Sequence, residues 1–252
     1  MSISIRLATT GKELFTESYS PSANLRVWEL RRHFWQAENT AAFFAWTLFY
    51  DHQLVEDAAL VSAYCGDPPS ENIIFHAICR ELRPPTKEEN IAIGDCIQQR
   101  QRSHLWTILS KGIVLTSLVP KGTALEALLV KAINADYPPT YDTGPLPDCV
   151  TMLLLAQCDP NIRGNPSLSP LGTAIRRGEE HTVEVLLQFQ ADPQLREERE
   201  ELPLIIAIAR GATKCVKILL DYWADPRPQC RRPLKDPMGS SPVTLDMQLP
   251  WI

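Results

Sequence analysis

Apolar residues recur at i, i+3 and i+4 in three stretches separated by one fixed interval. Val150, Leu153 and Leu154 are followed 33 residues later by Val183, Leu186 and Leu187, and after 33 more by Val216, Leu219 and Leu220. That spacing places three side chains on one face of a helix. Other landmarks keep the same interval: Pro170 and Pro203, Gly178 and Gly211, Ala191-Asp192-Pro193 and Ala224-Asp225-Pro226. Proline in the first turn of a helix loses no hydrogen bond. Glycine in a tight turn adopts positive φ at little cost. The unit therefore reads as a turn, a short helix, a tight turn, a second helix and a loop.

An earlier copy opens at Thr123-Ala124-Leu125-Glu126-Ala127-Leu128, 46 residues before the equivalent Ser169 segment, so 13 residues are inserted. They fall near 134–147, where Pro138, Pro139, Pro145 and Pro147 predict a loop. A weaker copy runs through Ile97 and Leu105-Trp106-Thr107-Ile108-Leu109 and closes at Gly112. Asp236-Pro237-Met238-Gly239-Ser240-Ser241-Pro242 begins one more, which the sequence leaves truncated. These residues resemble the ankyrin repeat, with its pattern Asp-x-x-Gly-x-Thr-Pro-Leu-His-x-Ala…Gly…Val-x-x-Leu-Leu-x-x-Gly-Ala-Asp. The resemblance implies about four repeats over residues 87–252, stacked because no single repeat can bury its apolar face alone. Two departures stand out. The family's histidine is Gly172, Ile205 and Glu126 here, and the glycine ending the second helix is Gln157, Gln190 and Trp223. A left-handed backbone at those residues costs about 1 kcal/mol each relative to glycine.

The first eighty residues follow another rhythm. Ile3-Ser4-Ile5-Arg6-Leu7 alternates as a strand does, Thr10-Gly11-Lys12 turns, and Glu13 to Tyr19 reads as a second strand. Leu25 to Ala37 predicts a helix carrying Val27, Leu30 and Phe34 on one stripe, with Arg26, Glu29 and Arg32 off it. Trp46 to Tyr50 and Ile73 to Ile78 are further strand candidates, with Ile74, His76 and Ile78 assigned to the core face. With Ser20-Pro21-Ser22 and Gln53 to Leu60, this order resembles a ubiquitin-like β-grasp domain. The resemblance covers about residues 2–80 and implies an integral domain, placed at 1–82. Conjugated members end in a free Gly-Gly, whereas this segment continues into Arg83-Pro84-Pro85-Thr86, a stiff linker over 83–86. The fold class expected is α+β, a β-grasp domain followed by an all-α ankyrin solenoid.

Composition narrows the chemistry. A net charge of −5, with no strongly basic segment, argues against nucleic acid as a partner. Seven cysteines, none spaced Cys-x-x-Cys, read as buried thiols in a reducing compartment. The start has no signal-peptide pattern, and no window of about 20 residues is free of charge. The cytoplasm is therefore expected, with the nucleus as the alternative. Five scattered histidines form no metal-ligand spacing, and no nucleophile elbow, phosphate loop or zinc-protease motif is present. No catalytic residue, metal or cofactor is assigned. Glu197-Glu198-Arg199-Glu200-Glu201 reads as a solvated turn.

Two surfaces are candidates for binding. The residues just before the inter-helix turn, Val130-Lys131, Arg176-Arg177 and Ala209-Arg210, line the concave side that the ankyrin resemblance implies. Lys131, Arg176, Arg177 and Arg210 would form a basic column suited to an acidic or phosphorylated segment. The β-grasp resemblance marks Leu48, Phe75 and Ala77 as an outward apolar patch, which a partner or the repeats themselves would cover. The resulting expectation is a monomeric, non-catalytic adaptor or scaffold that binds other proteins. The alternative is a regulatory fragment of a larger enzyme linked to ubiquitin handling.

Overall fold

The computed structural model describes residues 2–18, 20, 24–38, 43–65, 72–115, 128–135, 146–162, 169–197 and 201–222. The expected inserted loop, the opening at Thr123 and the further copy from Asp236 lie outside them, apart from the edges of the insertion.

The N-terminal part is built on a mixed sheet. Strands β1 (Ser2–Leu7) and β2 (Glu13–Ser18) form the expected antiparallel hairpin, and helix α1 (Val27–Glu38) follows. Strands β3 (Trp46–Tyr50), β4 (Gln53–Leu54) and β5 (Asn72–Cys79) complete the order β2-β1-β5-β3-β4. The two strands at the centre, β1 and β5, run parallel. A crossover helix covers one face, an arrangement compatible with a β-grasp ubiquitin-like fold. Val27, Leu30 and Phe34 are fully buried beneath α1, as their stripe requires.

The parity of β5 is the reverse of the expectation. Ile3 pairs with Ile73, Ile5 with Phe75 and Leu7 with Ala77, so the even-numbered residues of β5 face away from α1. Phe75 and Ala77 are 0% exposed and Leu48 only 2%, and all three belong to the core of this sheet. Phe75 packs against Tyr50 and Tyr64, with ring centroids 5.7 Å away in both cases. Ile78, expected inside, is 40% exposed. Both faces of Ile73-Ile74-Phe75-His76-Ala77-Ile78 carry apolar residues, so hydrophobicity alone does not decide between them. The polar member, His76, marks the outward one.

Four helical hairpins follow among the described residues. They pair α2 (Lys87–Gln98) with α3 (Arg102–Leu109), α4 (Leu128–Ala135) with α5 (Cys149–Leu155), α6 (Pro170–Arg177) with α7 (Glu180–Gln188), and α8 (Pro203–Ala209) with α9 (Thr213–Asp221). First helices stack on first helices and second on second, giving two rows. The repeating face is the glue: Val183, Leu186, Leu187 and Leu219 are buried in one continuous core with Val150, Leu153 and Leu154. Each such aliphatic side chain contributes about 1.5–3 kcal/mol on full burial.

Local chemistry sets the helix ends. Thr86 and Glu89 form a reciprocal capping box on α2, Asp148 caps α5 and Ser169 caps α6. The turn glycines are left-handed, Gly178 at φ 72° and Gly211 at φ 67°, and Arg100 takes the same place in the first hairpin at φ 58°. Gln157 and Gln190, standing where the repeat pattern has glycine, are left-handed too, at φ 63° and 67°.

Glu197 departs from the solvated turn expected of its charge run. It is 4% exposed, and its carboxylate accepts hydrogen bonds from the Ser169 backbone N–H (2.8 Å) and hydroxyl. A Cβ on Gly172 would stand 2.5 Å from Glu197 Oε1. Glycine at the position of the family's histidine thus makes room for an acid that bridges to the preceding helix start.

Replacing Gln157 or Gln190 with glycine removes a left-handed side chain without touching the core. Each substitution is expected to raise the unfolding free energy by roughly 1 kcal/mol. Urea denaturation of the single and double variants measures this, and the two gains are expected to add.

Candidate functional site

The basic residues singled out by the sequence belong to the first helices of their hairpins or to the residue that follows. α4, α6 and α8 lie side by side; Lys131 falls in the middle of α4, Arg176 and Arg177 end α6, and Arg210 caps the C-terminus of α8. Lys131 and Arg210 are exposed, whereas Arg176 and Arg177 are partly covered. Arg176 Nη2 is 4.0 Å from Glu201 Oε2 and Arg177 Nη1 is 4.0 Å from Glu179 Oε1, so part of the positive charge is already balanced. Leu48, Phe75 and Ala77 are buried in the core of the sheet and form no outward apolar patch.

A second constellation, which the sequence reading did not single out, joins the sheet to the helices. α1 is apolar on two sides. Val27, Leu30 and Phe34 face the sheet, while Trp28 and Trp35 pack against the helical core together with Phe43 and Phe44 from the turn after α1. Between them lies Arg31, 5% exposed. Its Nη1 is 3.0 Å from Asp57 Oδ1, and its guanidinium carbon sits 4.2 Å from the centre of the Phe43 ring. Asp57 Oδ2 accepts a hydrogen bond of 3.0 Å from Trp106 Nε1 on α3. One carboxylate therefore ties α1 to the first hairpin. Burial pushes the Arg31 pKa below its ordinary value, opposed by the Asp57 charge.

Two further contacts extend this joint. Trp35 stacks on Phe189 with ring centroids 6.0 Å apart, and Arg32 Nη2 donates to Gln188 Oε1 at 2.9 Å. The connecting segment is fastened as well. The Arg83 backbone bonds to Gly112 and Val114, both at 3.0 Å, and its guanidinium forms a fork with Glu89 at 2.7 and 2.6 Å. That fork, with the backbone bond to Thr86, holds the Glu89 carboxyl down at about 2. The linker is stiffened by these bonds in addition to its prolines.

Among the described residues, no group of three or more His, Cys, Asp or Glu side chains could hold a metal ion. Burial raises the thiols of Cys96, Cys158 and Cys215, that of Cys158 to about 12, which makes them poor nucleophiles. No helix among the described residues is long and apolar enough to cross a membrane.

Comparison with known families matches residues 142–230 to the family model for ankyrin repeats, in 3 copies. This part of the chain is an ankyrin-repeat array. The α6/α7 and α8/α9 hairpins lie inside the matched span, and the α2/α3 hairpin lies before it. That first hairpin has left-handed residues after its helices as the later hairpins do, at Arg100 and Gly112. A search of curated proteins finds no match to the chain.

The joint makes a specific prediction. Asp57→Ala strands a buried guanidinium and is expected to cost about 3–5 kcal/mol. The double variant Arg31→Met/Asp57→Leu, which replaces the pair with apolar groups, is expected to recover most of that loss. Urea denaturation of both provides the comparison.

Proposed function

We propose that this protein is a non-catalytic adaptor that holds protein partners on the first-helix face of its ankyrin repeats. The observation that carries the reading is the stack itself. Successive hairpins present equivalent positions at regular intervals along an open face, a surface suited to extended contact rather than to enclosing a reacting group. Lys131, Arg176, Arg177 and Arg210 give that face its charge, and the partner segment they favour is acidic or phosphorylated. Charge-assisted, bidentate bonds from arginine are roughly twice as strong as neutral ones and would select such a segment. The protein is proposed to act as a monomer in the cytoplasm. Its division is proposed at residues 1–82, a linker at 83–86 and repeats over 87–252. The N-terminal domain serves as a rigid extension, because the apolar sheet patch once expected to recruit a second protein is interior.

The test is a pull-down comparing the wild type with Arg176→Glu/Arg177→Glu. Loss of a discrete set of bound proteins, with an unchanged melting temperature, supports the reading. Equal recovery of every bound protein by both forms eliminates the basic column as the binding surface.

A further inference from the structure

The last described hairpin shows solvent an apolar face that the hairpin before it keeps covered. Ile175 on α6 and Leu187 on α7 are buried, with α8 and α9 stacked next to their helices. Their counterparts 33 residues later, Ile208 on α8 and Leu220 on α9, are 61% and 45% exposed. Val183 is fully buried, whereas Val216, at the equivalent place, is only half-buried. Ile205, one turn before Ile208 on α8, is exposed as well. Apolar residues left open at the end of a repeat stack mark the surface that a further layer would cover.

The chain carries a segment suited to that face outside the described residues. Val243, Leu245, Met247, Leu249 and Trp251 alternate with Thr244, Asp246, Gln248 and Pro250. Alternation of this kind is the pattern of an extended chain with one apolar side. Wound as a helix, with about 100° between residues, the same five would fall on two opposite sides. The likeness to a repeat opening also stops early. Ser241-Pro242-Val243 follows Ser169-Pro170-Leu171, but Asp246 falls where Ala174 and Ala207 are fully buried.

Reach and charge both fit. Alternate residues of an extended chain stand about 6.5–7 Å apart, and packed helix axes about 8–10 Å apart. A row of five apolar side chains therefore crosses both α8 and α9, whereas one helix laid along the first row meets only α8. Residues 203–222 hold Arg210, Lys214 and Lys217 against Asp221, although Lys214 already lies 2.9 Å from Glu180. Residues 236–252 hold Asp236 and Asp246 and no lysine or arginine. The intervening residues 223–241 can span roughly 60 Å when extended, far more than the return requires.

We propose that residues 243–251 lie extended across α8 and α9 as a strap, their odd-numbered side chains covering Ile205, Ile208 and Leu220. The strap closes the apolar end of the stack within one molecule. It thereby removes a surface that would otherwise join copies end to end, and it leaves the basic residues of the first helices to a partner. It stands independently of which partner they hold.

Methyl NMR on the full chain, labelled at the Ile, Leu and Met methyl groups, tests the strap. Met247 is the middle of the alternating row, so it meets the face whichever way the strap runs. Its methyl resonance is assigned by its loss in Met247→Leu. The expected result is a nuclear Overhauser contact from the Met247 methyl to Ile208 or Leu220, with extended backbone shifts over 243–251. Met247→Asp is expected to abolish the contact and shift the Ile208 and Leu220 methyl resonances. Gln248→Asp, on the other side of the strap, is expected to leave them in place. Both substitutions lie outside the core, so folding is not at stake. Four results overturn the proposal. In the first, Met247 makes no contact with the face and Met247→Asp leaves the Ile208 and Leu220 resonances unmoved. In the second, Met247→Asp and Gln248→Asp shift them alike. In the third, backbone shifts are helical over 243–251, which assigns a further repeat helix. In the fourth, the contact arises only between labelled and unlabelled molecules in a mixed sample, which assigns a second copy of the chain as the cover.

Discussion

The buried ion pair between Arg31 and Asp57 constrains the arrangement of everything around it. A guanidinium removed from water is tolerated only where a carboxylate and aromatic faces replace its hydration. Here those groups come from different parts of the chain: Arg31 from α1, Phe43 from the turn that follows, Asp57 from the segment after β4, and Trp106 from α3. Satisfying Arg31 therefore requires the sheet, its helix and the first hairpin to be assembled together. Phe43 and Phe44 belong to the same hydrophobic cluster as the repeat helices. The N-terminal unit thus acts as an additional layer on the helical stack.

Away from that joint, the repeats follow generic rules with local substitutions. The leucine-rich faces pack hairpin against hairpin, and backbone left-handedness at Gln157 and Gln190 is accepted where glycine is the easier choice. The loss of the family's histidine at Gly172 is answered by Glu197, which reaches across to Ser169 through the space a side chain there would fill. Asp148 is used twice. It caps α5 through the Thr151 backbone N–H at 2.7 Å, and it lies 3.7 Å from His181 on the neighbouring hairpin. Burial pushes its carboxyl up, but bonds from His181 and Thr151 outweigh that and hold it below the ordinary range.

Much of this was legible in the residues. The 33-residue interval named the helices from α5 onward, the Val27-Leu30-Phe34 stripe named α1, and the alternation in Ile3-Ser4-Ile5 named β1. What escaped did so for identifiable reasons. β5 has apolar residues at both parities, so its face is set by the register with β1, which no local pattern encodes. The joint is built from residues far apart in the chain, 75 positions from Arg31 to Trp106 and 156 from Arg32 to Gln188, and long-range pairing leaves no periodic trace. A hint existed in Trp28 and Trp35, one heptad apart on the side of α1 away from its core stripe, with Phe43-Phe44 close behind. A helix apolar on two sides has two neighbours to cover. Glu197 was misread because a charge run is usually solvated, and only the space above Gly172 shows otherwise.

The central claim, that sheet and repeats form one cooperative body through the Arg31 joint, is tested most directly by native-state amide hydrogen exchange. The opening free energies of Phe75 in β5 and Leu154 in α5 should agree within about 1 kcal/mol, because both open only when the whole molecule unfolds. An opening free energy for Phe75 several kcal/mol below that of Leu154 would show the N-terminal sheet unfolding by itself and would contradict the account.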